Sequence, residues 1–105
     1  MKRFEVHLVA LEPVRGSEIV KTRPCVIVSP DEMNSRLRTL MIAPLTSSQR
    51  HWPSRVGCHF AGHAGEIALD QLCSVDKARL VRQLGRIDAK TSDAVLTCLA
   101  AMFSP

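Results

Sequence analysis

The sequence predicts a mainly β fold of the α+β class, a small, strongly bent sheet or barrel of short strands followed by one C-terminal helix. Two observations predict it. Short apolar or alternating segments recur at close spacing between residues 4 and 72, separated by turn-forming glycine, proline and serine. From Ala89 onward the apolar residues change to helical spacing. The 105 residues fit one domain, residues 1–105, with a single core.

The first two strands are predicted on either side of an exposed loop. Phe4–Glu12 alternates between two faces, and because both faces carry apolar residues, we expect burial on both sides. Pro13 ends this strand, and residues 14–22 contain a glycine, a serine and several charges, which is typical of a loop. Cys25–Val28 is a continuous apolar run flanked by prolines, which indicates a short buried strand.

Three more strands are predicted in the middle of the chain. A third strand is expected at Thr39–Leu45. The polar, proline-broken segment Ser47–Pro53 indicates a loop, and a weaker strand follows at Arg55–Phe60. Two glycines then mark a turn into Glu66–Leu72.

The C-terminal third changes from strand to helix. Val75–Ile87 fits both patterns, and we favour a single helical turn followed by a strand. Asp88 is a plausible N-cap for a helix over Ala89–Phe103. We expect this helix to pack an apolar stripe on the sheet, and the stripe comprises Val95, Leu96, Leu99, Met102 and Phe103.

Composition and charge indicate a cytosolic globular protein with an anionic partner. A hydrophobic share of 46% with 23% charged residues is ordinary for a folded domain and unlike disorder. No segment is apolar enough to span a membrane, and the N-terminus lacks the apolar run of a signal peptide, so we expect a cytoplasmic location. A net charge of +4 with a pI near 9.2 favours RNA or an acidic protein as partner.

The spacing of the cysteines and histidines is not typical of a metal or cofactor site. The four cysteines form no C-x-x-C pair, and in a reducing cytosol we interpret them as small core hydrophobes: Cys25, Cys58, Cys73 and Cys98. Cys58, His59 and His63 suggest a zinc site, but no second ligand pair matches them and their spacing crosses a glycine turn. We therefore expect no metal.

Several short residue strings are informative when their order and spacing are considered together. In chain order they are Glu12-Pro13-Val14-Arg15-Gly16-Ser17-Glu18, Lys21-Thr22-Arg23-Pro24, Ser29-Pro30, Asn34, Ala43-Pro44-Leu45-Thr46-Ser47, Leu69-Asp70-Gln71, Val75-Asp76-Lys77, Arg79-Leu80 and Leu84-Gly85. In this order and spacing the sequence resembles the MazF/PemK toxins of type II toxin-antitoxin systems over nearly its entire length.

The resemblance implies both an architecture and an activity. It implies a small SH3-like barrel of antiparallel strands, similar to CcdB and PemK, with a C-terminal helix near the contact of a homodimer. It also implies a metal-independent endoribonuclease that needs no cofactor and cleaves single-stranded mRNA in a groove across both subunits. The 2'-hydroxyl would attack, leaving a 2',3'-cyclic phosphate and a 5'-hydroxyl. An acidic, partly disordered antitoxin segment would block the groove, as the positive charge also suggests.

The chemistry of such a site needs positive charge, hydrogen-bond donors and proton transfer. Arg23 is the first candidate, because a guanidinium can hold two phosphate oxygens, although an arginine before a proline at a strand entrance is equally typical of a solvated loop charge. Thr46 and Ser47 can hydrogen-bond the phosphate or can simply begin a turn. Glu18 can accept a proton or orient Arg23, and the sequence does not decide between these roles.

Asp70 and Gln71 are two further candidates, and the residues around the motif differ from those of some relatives. Asp70 matches an acid-base position of some relatives, and with Gln71 it is assigned to catalysis or RNA binding. An arginine that some relatives carry two places earlier is Ala68 here, and a histidine of some relatives is Ser17. Asp70 can equally be structural, anchoring its loop by hydrogen bonds.

The loops around these candidates also carry residues suited to RNA. Four basic side chains can follow the backbone and Trp52 can stack on a base, while each alone can be an ordinary surface residue. The basic residues are Arg15, Lys21, Arg50 and Arg55.

Two other functions share this architecture. A CcdB-like toxin would inhibit a topoisomerase, and a non-catalytic barrel would bind RNA without cutting it. Neither function requires the pairing of Arg23 with Thr46. That pairing therefore favours the ribonuclease.

Overall fold

The structure is a computed structural model, and it describes residues 1–11 and 21–105. The described residues form seven strands, two α-helices and two single turns of 3-10 helix. The strands are β1 (Glu5–Ala10), β2 (Thr22–Ile27), β3 (Thr39–Thr46), β4 (Arg55–Phe60), β5 (His63–Ala68), β6 (Cys73–Asp76) and β7 (Leu80–Arg86). The helices are α1 (Asp31–Arg36) and α2 (Ala89–Met102), and the 3-10 turns are Leu69–Gln71 and Lys77–Arg79.

Strand β3 is the centre of one antiparallel sheet with the order β4-β5-β3-β2-β1-β7. On its other edge β3 changes partner along its length. Its first four residues pair with β6, from Thr39 to Ile42, and its last two, Leu45 and Thr46, pair with β5. This change of partner divides the sheet into two portions at β3. The result is a curled half-barrel of antiparallel strands with a C-terminal helix, which confirms the predicted fold class.

Side chains bring the two ends of the sheet path together. Among the described strands β4 and β7 terminate the path, yet the Phe60 ring of β4 lies against Gly85 of β7. A Cβ on Gly85 would lie 3.1 Å from Cζ of Phe60, and Gly85 has a φ of 154°. Glycine therefore suits this position both sterically and conformationally.

The sheet is buried on both faces, as predicted from β1. Val6 belongs to one apolar cluster and Val9 to another, and both are fully buried. Irregularities in the β1–β7 register occur after Val6 and after Leu8. The second cluster also contains Cys25 and Ile42, while the first is covered by α2 through Val95.

Helix α2 begins at the predicted N-cap but buries less than predicted. The Asp88 carboxylate accepts a hydrogen bond from the Thr91 N–H at 2.8 Å. The helix packs mainly on β4 and the Leu69–Gln71 turn, so only a narrow stripe is covered. Val95 is buried, whereas Phe103 is 73% exposed. The expectation that the whole stripe packs on the sheet is thus wrong for its outer members, Leu96, Met102 and Phe103.

The structure corrects several local predictions. The sequence interpretation missed α1 and β6, and the predicted strand Glu66–Leu72 is instead β5 followed by a 3-10 turn. The predicted helical turn and strand within Val75–Ile87 are confirmed. All four cysteines are free thiols, but Cys73 is exposed, so it is not a core hydrophobe. No helix in the described ranges is long and apolar enough to cross a membrane.

Candidate functional site

The register of β2 with β3 brings Arg23 and Thr46 to the same end of the sheet. In this antiparallel pair Cys25 lies opposite Pro44 and Ile27 opposite Ile42. Continuing the register by two residues sets Arg23 across from Thr46. Both residues are half-buried. The two leading candidates, which are 23 residues apart in sequence, therefore come from neighbouring strand ends.

Arg23 and Thr46 border two different cavities. The first, here called the hydroxyl cavity, has a volume of about 280 Å³ and is lined by Thr46 and Ser47 together with Pro24, Phe60 and Glu66. It is mainly apolar. Because Pro24 and Leu45 line this cavity while Arg23, Cys25 and Pro44 line the other, alternation assigns the cavities to opposite faces of β2–β3. Counting on from Pro44, the same alternation puts the Thr46 side chain on the face of Arg23, so a phosphate at these strand ends can contact both candidates.

The second cavity, here called the arginine cavity, has a volume of about 590 Å³ and is more polar. Arg23, Arg79 and Gln71 line it together with Asp76 and Cys73. Gln71 is exposed here, beside the predicted catalytic arginine. The sequence did not single out Arg79 as a site residue, although it stands in one of the strings of the resemblance.

Thr46 is held in place by its neighbours. Its Oγ1 accepts a hydrogen bond from the Ser48 N–H at 3.2 Å, so the hydroxyl stabilises a turn and still has a proton to donate. The main chain of Thr46 pairs with Glu66 in β5. Both predicted readings of Thr46, turn former and hydrogen-bond donor, are thus compatible with one geometry. Ser47 is exposed beside it.

Three of the predicted site residues precede Arg23 in the chain. Glu18 and Arg15 lie outside the described residues. Lys21 is described and exposed directly before β2.

The thiol of Cys25 lies 3.6 Å from the main-chain oxygen of Arg23, and burial raises the pKa of this thiol to about 12. Cys25 therefore stays protonated and is not a nucleophile.

Asp70 is occupied by structural contacts. Arg55 donates from Nε to Oδ1 at 2.6 Å and from Nη2 to Oδ2 at 3.3 Å, while the Ser54 hydroxyl donates to Oδ1 at 3.1 Å. The hydrogen bond from Arg55 holds the pKa of Asp70 below its ordinary value. Of the two predicted roles, this geometry favours the structural anchor. An ionised carboxylate in a bidentate pair is a poor proton donor.

Arg55 is placed differently from the prediction that it follows the RNA backbone. Its side chain is only 5% exposed, because Asp70 and Glu66 occupy its donors and it lies 4.7 Å from the ring centre of Trp52. These contacts leave little of the guanidinium for a phosphate. The structure thus favours a buried structural cation at this position rather than an RNA contact.

Trp52 and Arg50 remain accessible on the same loop. Trp52 is 47% exposed, and the Arg50 guanidinium lies 5.5 Å from its ring centre. Two guanidinium groups already lie over this indole, so only its exposed part is available to a base. A partly exposed aromatic surface beside a positive charge is compatible with the predicted RNA contact.

Sequence reasoning missed Glu66. It is 4% exposed in the middle of β5, where its carboxylate accepts hydrogen bonds from the N–H groups of Arg50 at 2.9 Å and His51 at 3.0 Å. These two hydrogen bonds hold the pKa of Glu66 below its ordinary value, and the bond from Arg50 has the larger effect. The available signal was an acid inside the otherwise apolar run Gly65–Ala68.

No group of three or more His, Cys, Asp and Glu side chains is arranged to hold a metal within the described part of the chain. Cys58, His59 and His63 belong to the β4–β5 hairpin, and the two histidines are exposed.

Comparison with known proteins gives a consistent result. The family model described as PemK-like, MazF-like toxin of type II toxin-antitoxin system matches residues 2–103. Endoribonuclease PemK of Escherichia coli is 32% identical over 99% of this chain and 83% of its own. Endoribonuclease MazF9 of Mycobacterium tuberculosis is 31% identical over 85% of this chain and 84% of its own.

Solved structures show the same fold. A mycobacterial endoribonuclease in complex with its cognate antitoxin superposes with a TM-score of 0.81 at 24% identity, covering 96% of this chain and 92% of its own. MazF of Deinococcus radiodurans superposes with a TM-score of 0.78 at 23% identity, covering 97% and 94%.

Proposed function

The chain belongs to the PemK-like, MazF-like toxins of type II toxin-antitoxin systems, and from this premise we propose that it is an endoribonuclease that cuts single-stranded RNA without a metal. Two relatives that are more than 30% identical over four fifths or more of both chains are named endoribonucleases. This membership favours the ribonuclease over a CcdB-like topoisomerase inhibitor.

The observation that carries the proposal is the β2–β3 register. It supports a site in which a guanidinium and a hydroxyl approach one phosphate from adjacent strand ends. Arg23 neutralises the charge that builds on the non-bridging oxygens, and its planar fork can contact two of them. Thr46 donates its hydroxyl proton to one of these oxygens, and Ser47 provides a second donor.

The reaction needs no covalent enzyme intermediate. A base removes the proton of the 2'-hydroxyl, the 2'-oxygen bonds to phosphorus, and the bond to the 5'-oxygen breaks. A proton is then delivered to the leaving 5'-oxygen. The products are a 2',3'-cyclic phosphate and a 5'-hydroxyl end.

Glu18 is the proposed proton acceptor or the partner that orients Arg23. Asp70 is less suited to either transfer, because Arg55 and Ser54 occupy its carboxylate. We assign Asp70 to the support of the loop that carries Trp52. Arg50, Trp52, Lys21 and Arg15 are the proposed RNA contacts, and Gln71 is a further candidate in the arginine cavity.

The proposed partners follow from the family and the charge. The chain acts in the cytoplasm as a homodimer, and an acidic antitoxin segment covers the groove. A net charge of +4 supports an acidic partner, and a similarly folded mycobacterial endoribonuclease is described in complex with its cognate antitoxin.

One experiment tests the activity. Purified protein is incubated with end-labelled single-stranded RNA in EDTA, beside Arg23→Ala and the control Arg36→Ala, which removes an exposed arginine from α1. The wild type and the control should cut, leaving cyclic phosphate ends, and Arg23→Ala should lose activity about a hundredfold or more. Intact RNA with the wild-type protein would refute the ribonuclease and leave the two alternatives, a topoisomerase inhibitor and a non-catalytic RNA-binding barrel.

A further inference from the structure

One buried carboxylate fixes the loop that joins β3 to β4, residues 47–54, here called the Trp52 loop. Oε1 of Glu66 accepts the N–H of Arg50 at 2.9 Å, and Oε2 accepts the N–H of His51 at 3.0 Å. The two oxygens of a single side chain thus bind two successive main-chain amides. The two amides lie at the middle of the loop, one and two residues before Trp52.

The two hydrogen bonds to Glu66 maintain an unusual backbone conformation. His51 has a φ of 57°, in the left-handed region that residues other than glycine seldom adopt. Successive amides around such a residue form a concavity that binds anions, and here the anion is the carboxylate of the protein itself. The conformation of the loop centre therefore depends on Glu66.

Glu66 also adjoins the residues proposed to hold the scissile phosphate. Its main chain pairs with Thr46 on one side and with Gly57 of β4 on the other. With Thr46 and Ser47 it lines the hydroxyl cavity. The same residue thus contacts the strand that carries the hydroxyls and the loop that carries the indole.

The end of the Trp52 loop is tied down separately. Arg55 and Ser54 both bind Asp70, and the Cys98 thiol of α2 lies 3.2 Å from the carbonyl oxygen of Pro53. Since these contacts secure the loop after Trp52, Glu66 is the attachment for the half that precedes it.

The charge of Glu66 excludes a direct role at the phosphate. A carboxylate beside a phosphodiester is repulsive, and this one is already bound by two amides and by Arg55 Nη1 at 3.4 Å. The hydrogen bonds from Arg50 and His51 keep its pKa low, so it remains ionised at neutral pH and does not exchange protons.

We infer that Glu66 is a positioning residue for substrate specificity, which sets the distance between the hydroxyls of Thr46 and Ser47 and the stacking face of Trp52. That distance determines which base can stack when the scissile phosphate is in place. The inference rests on the proposed ribonuclease function.

Glu66→Gln is the first test, with Glu32→Gln on α1 as a matched control at an exposed glutamate. Cleavage ends from a random single-stranded RNA pool are mapped, and the preferred oligonucleotide then gives KM and kcat. Trp52 is the only tryptophan, so its emission and its quenching by acrylamide report on the loop. Glu66→Gln should relax the base preference, raise KM about tenfold with a smaller change in kcat, and increase quenching. The control should match the wild type.

A second pair of variants covers the case in which Glu66→Gln does not fold. Arg50→Pro removes the side chain and the N–H that Glu66 accepts, whereas Arg50→Ala removes the side chain alone. The proline variant should show the relaxed preference, whereas the alanine variant, which loses only the proposed phosphate contact of Arg50, should bind RNA more weakly and keep the wild-type motif.

The outcomes separate the two proposals. A wild type that cuts no RNA overturns both the ribonuclease and the positioning role. A wild type that cuts, with cleavage motif, KM and Trp52 quenching unchanged in Glu66→Gln and with no difference between the Arg50 variants, overturns the positioning role alone. A fall in kcat without any change of motif or quenching also overturns it.

Discussion

Gly65 of β5 lies directly against the carbonyl group of Thr46 in β3, with no room between them for a side chain. A Cβ at Gly65 would collide with the carbonyl oxygen of Thr46 and lie 3.2 Å from its carbonyl carbon. The neighbouring Glu66 is the ladder partner of Thr46. The position of the proposed phosphate-binding hydroxyl therefore depends on a glycine in another strand.

Gly65→Ala should displace the end of β3. The methyl group meets main-chain atoms, which cannot rotate away, so we expect a loss of about 1–3 kcal/mol in the free energy of unfolding. Cleavage of RNA should fall about tenfold or more because Thr46 moves. Urea unfolding and the EDTA cleavage assay measure the two effects.

Gly57→Ala is the matched control, since a Cβ at Gly57 meets no atom within 4 Å. Both glycines lie in strands of the same hairpin. If the two alanine variants behaved alike in unfolding and in cleavage, the close packing against Thr46 would not constrain the site.

The roles of Arg23 and Thr46 can be separated by substitutions that keep part of each group. Arg23→Lys preserves the charge but not the planar fork, so it should recover only a small part of the activity that Arg23→Ala loses. Thr46→Ser keeps the hydroxyl and Thr46→Val keeps the shape. Steady-state kinetics on one RNA should show the serine variant within about tenfold of the wild type and the valine variant well below it. Equal activity of these Thr46 variants would exclude the hydroxyl as a phosphate ligand.

Acid should destabilise the Trp52 loop through Glu66 and Asp70. Hydrogen bonds in the folded state lower both pKa values, from ordinary values of 4.5 and 3.8. A carboxylate whose pKa is lowered stabilises the fold above its ordinary value, and this contribution is lost as the pH falls through the folded-state pKa. The free energy of unfolding should therefore be steady from about pH 7 to about pH 5 with respect to these groups, and should fall below that range.

Asp70→Asn tests this pH dependence. At neutral pH the variant should be less stable than the wild type, because Arg55 loses its charged partner. Its stability should fall less steeply in acid, so the two unfolding curves converge at low pH. Denaturant unfolding at several pH values measures both slopes. Parallel curves would contradict the stabilising role of the Asp70 carboxylate.

The elements that depend on residues close in sequence were the ones predicted correctly. The β4 strand and the Asp88 cap were predicted from the turn residues before the strand and from capping chemistry, which depend on residues close in sequence. Helix α1 was missed although its acidic first turn and basic last turn are a recognisable signal. The β6 strand pairs with β3, a contact across 30 or more residues that periodicity cannot reveal.

The same distinction holds for the site. The resemblance to the family identified Arg23 and Thr46 as candidates. Only the β2–β3 register brings them to neighbouring strand ends. The burial of Arg55 depends on Glu66 and Asp70, which are 11 and 15 residues away in sequence. The sequence shows an acid within an apolar run at Glu66. It does not show that this carboxylate binds two amides of the loop between β3 and β4.

Cys73 offers a chemical probe of the arginine cavity. It is exposed and lines the same cavity as Arg23, whereas Cys25 is buried with a pKa raised to about 12. Iodoacetamide should therefore modify Cys73 well before Cys25, which peptide mass mapping can verify. A bulky maleimide at Cys73 should obstruct RNA near Arg23 and reduce cleavage, while Cys73→Ser should keep its activity after the same treatment. Full activity of protein carrying the maleimide at Cys73 would show that RNA does not pass through this cavity.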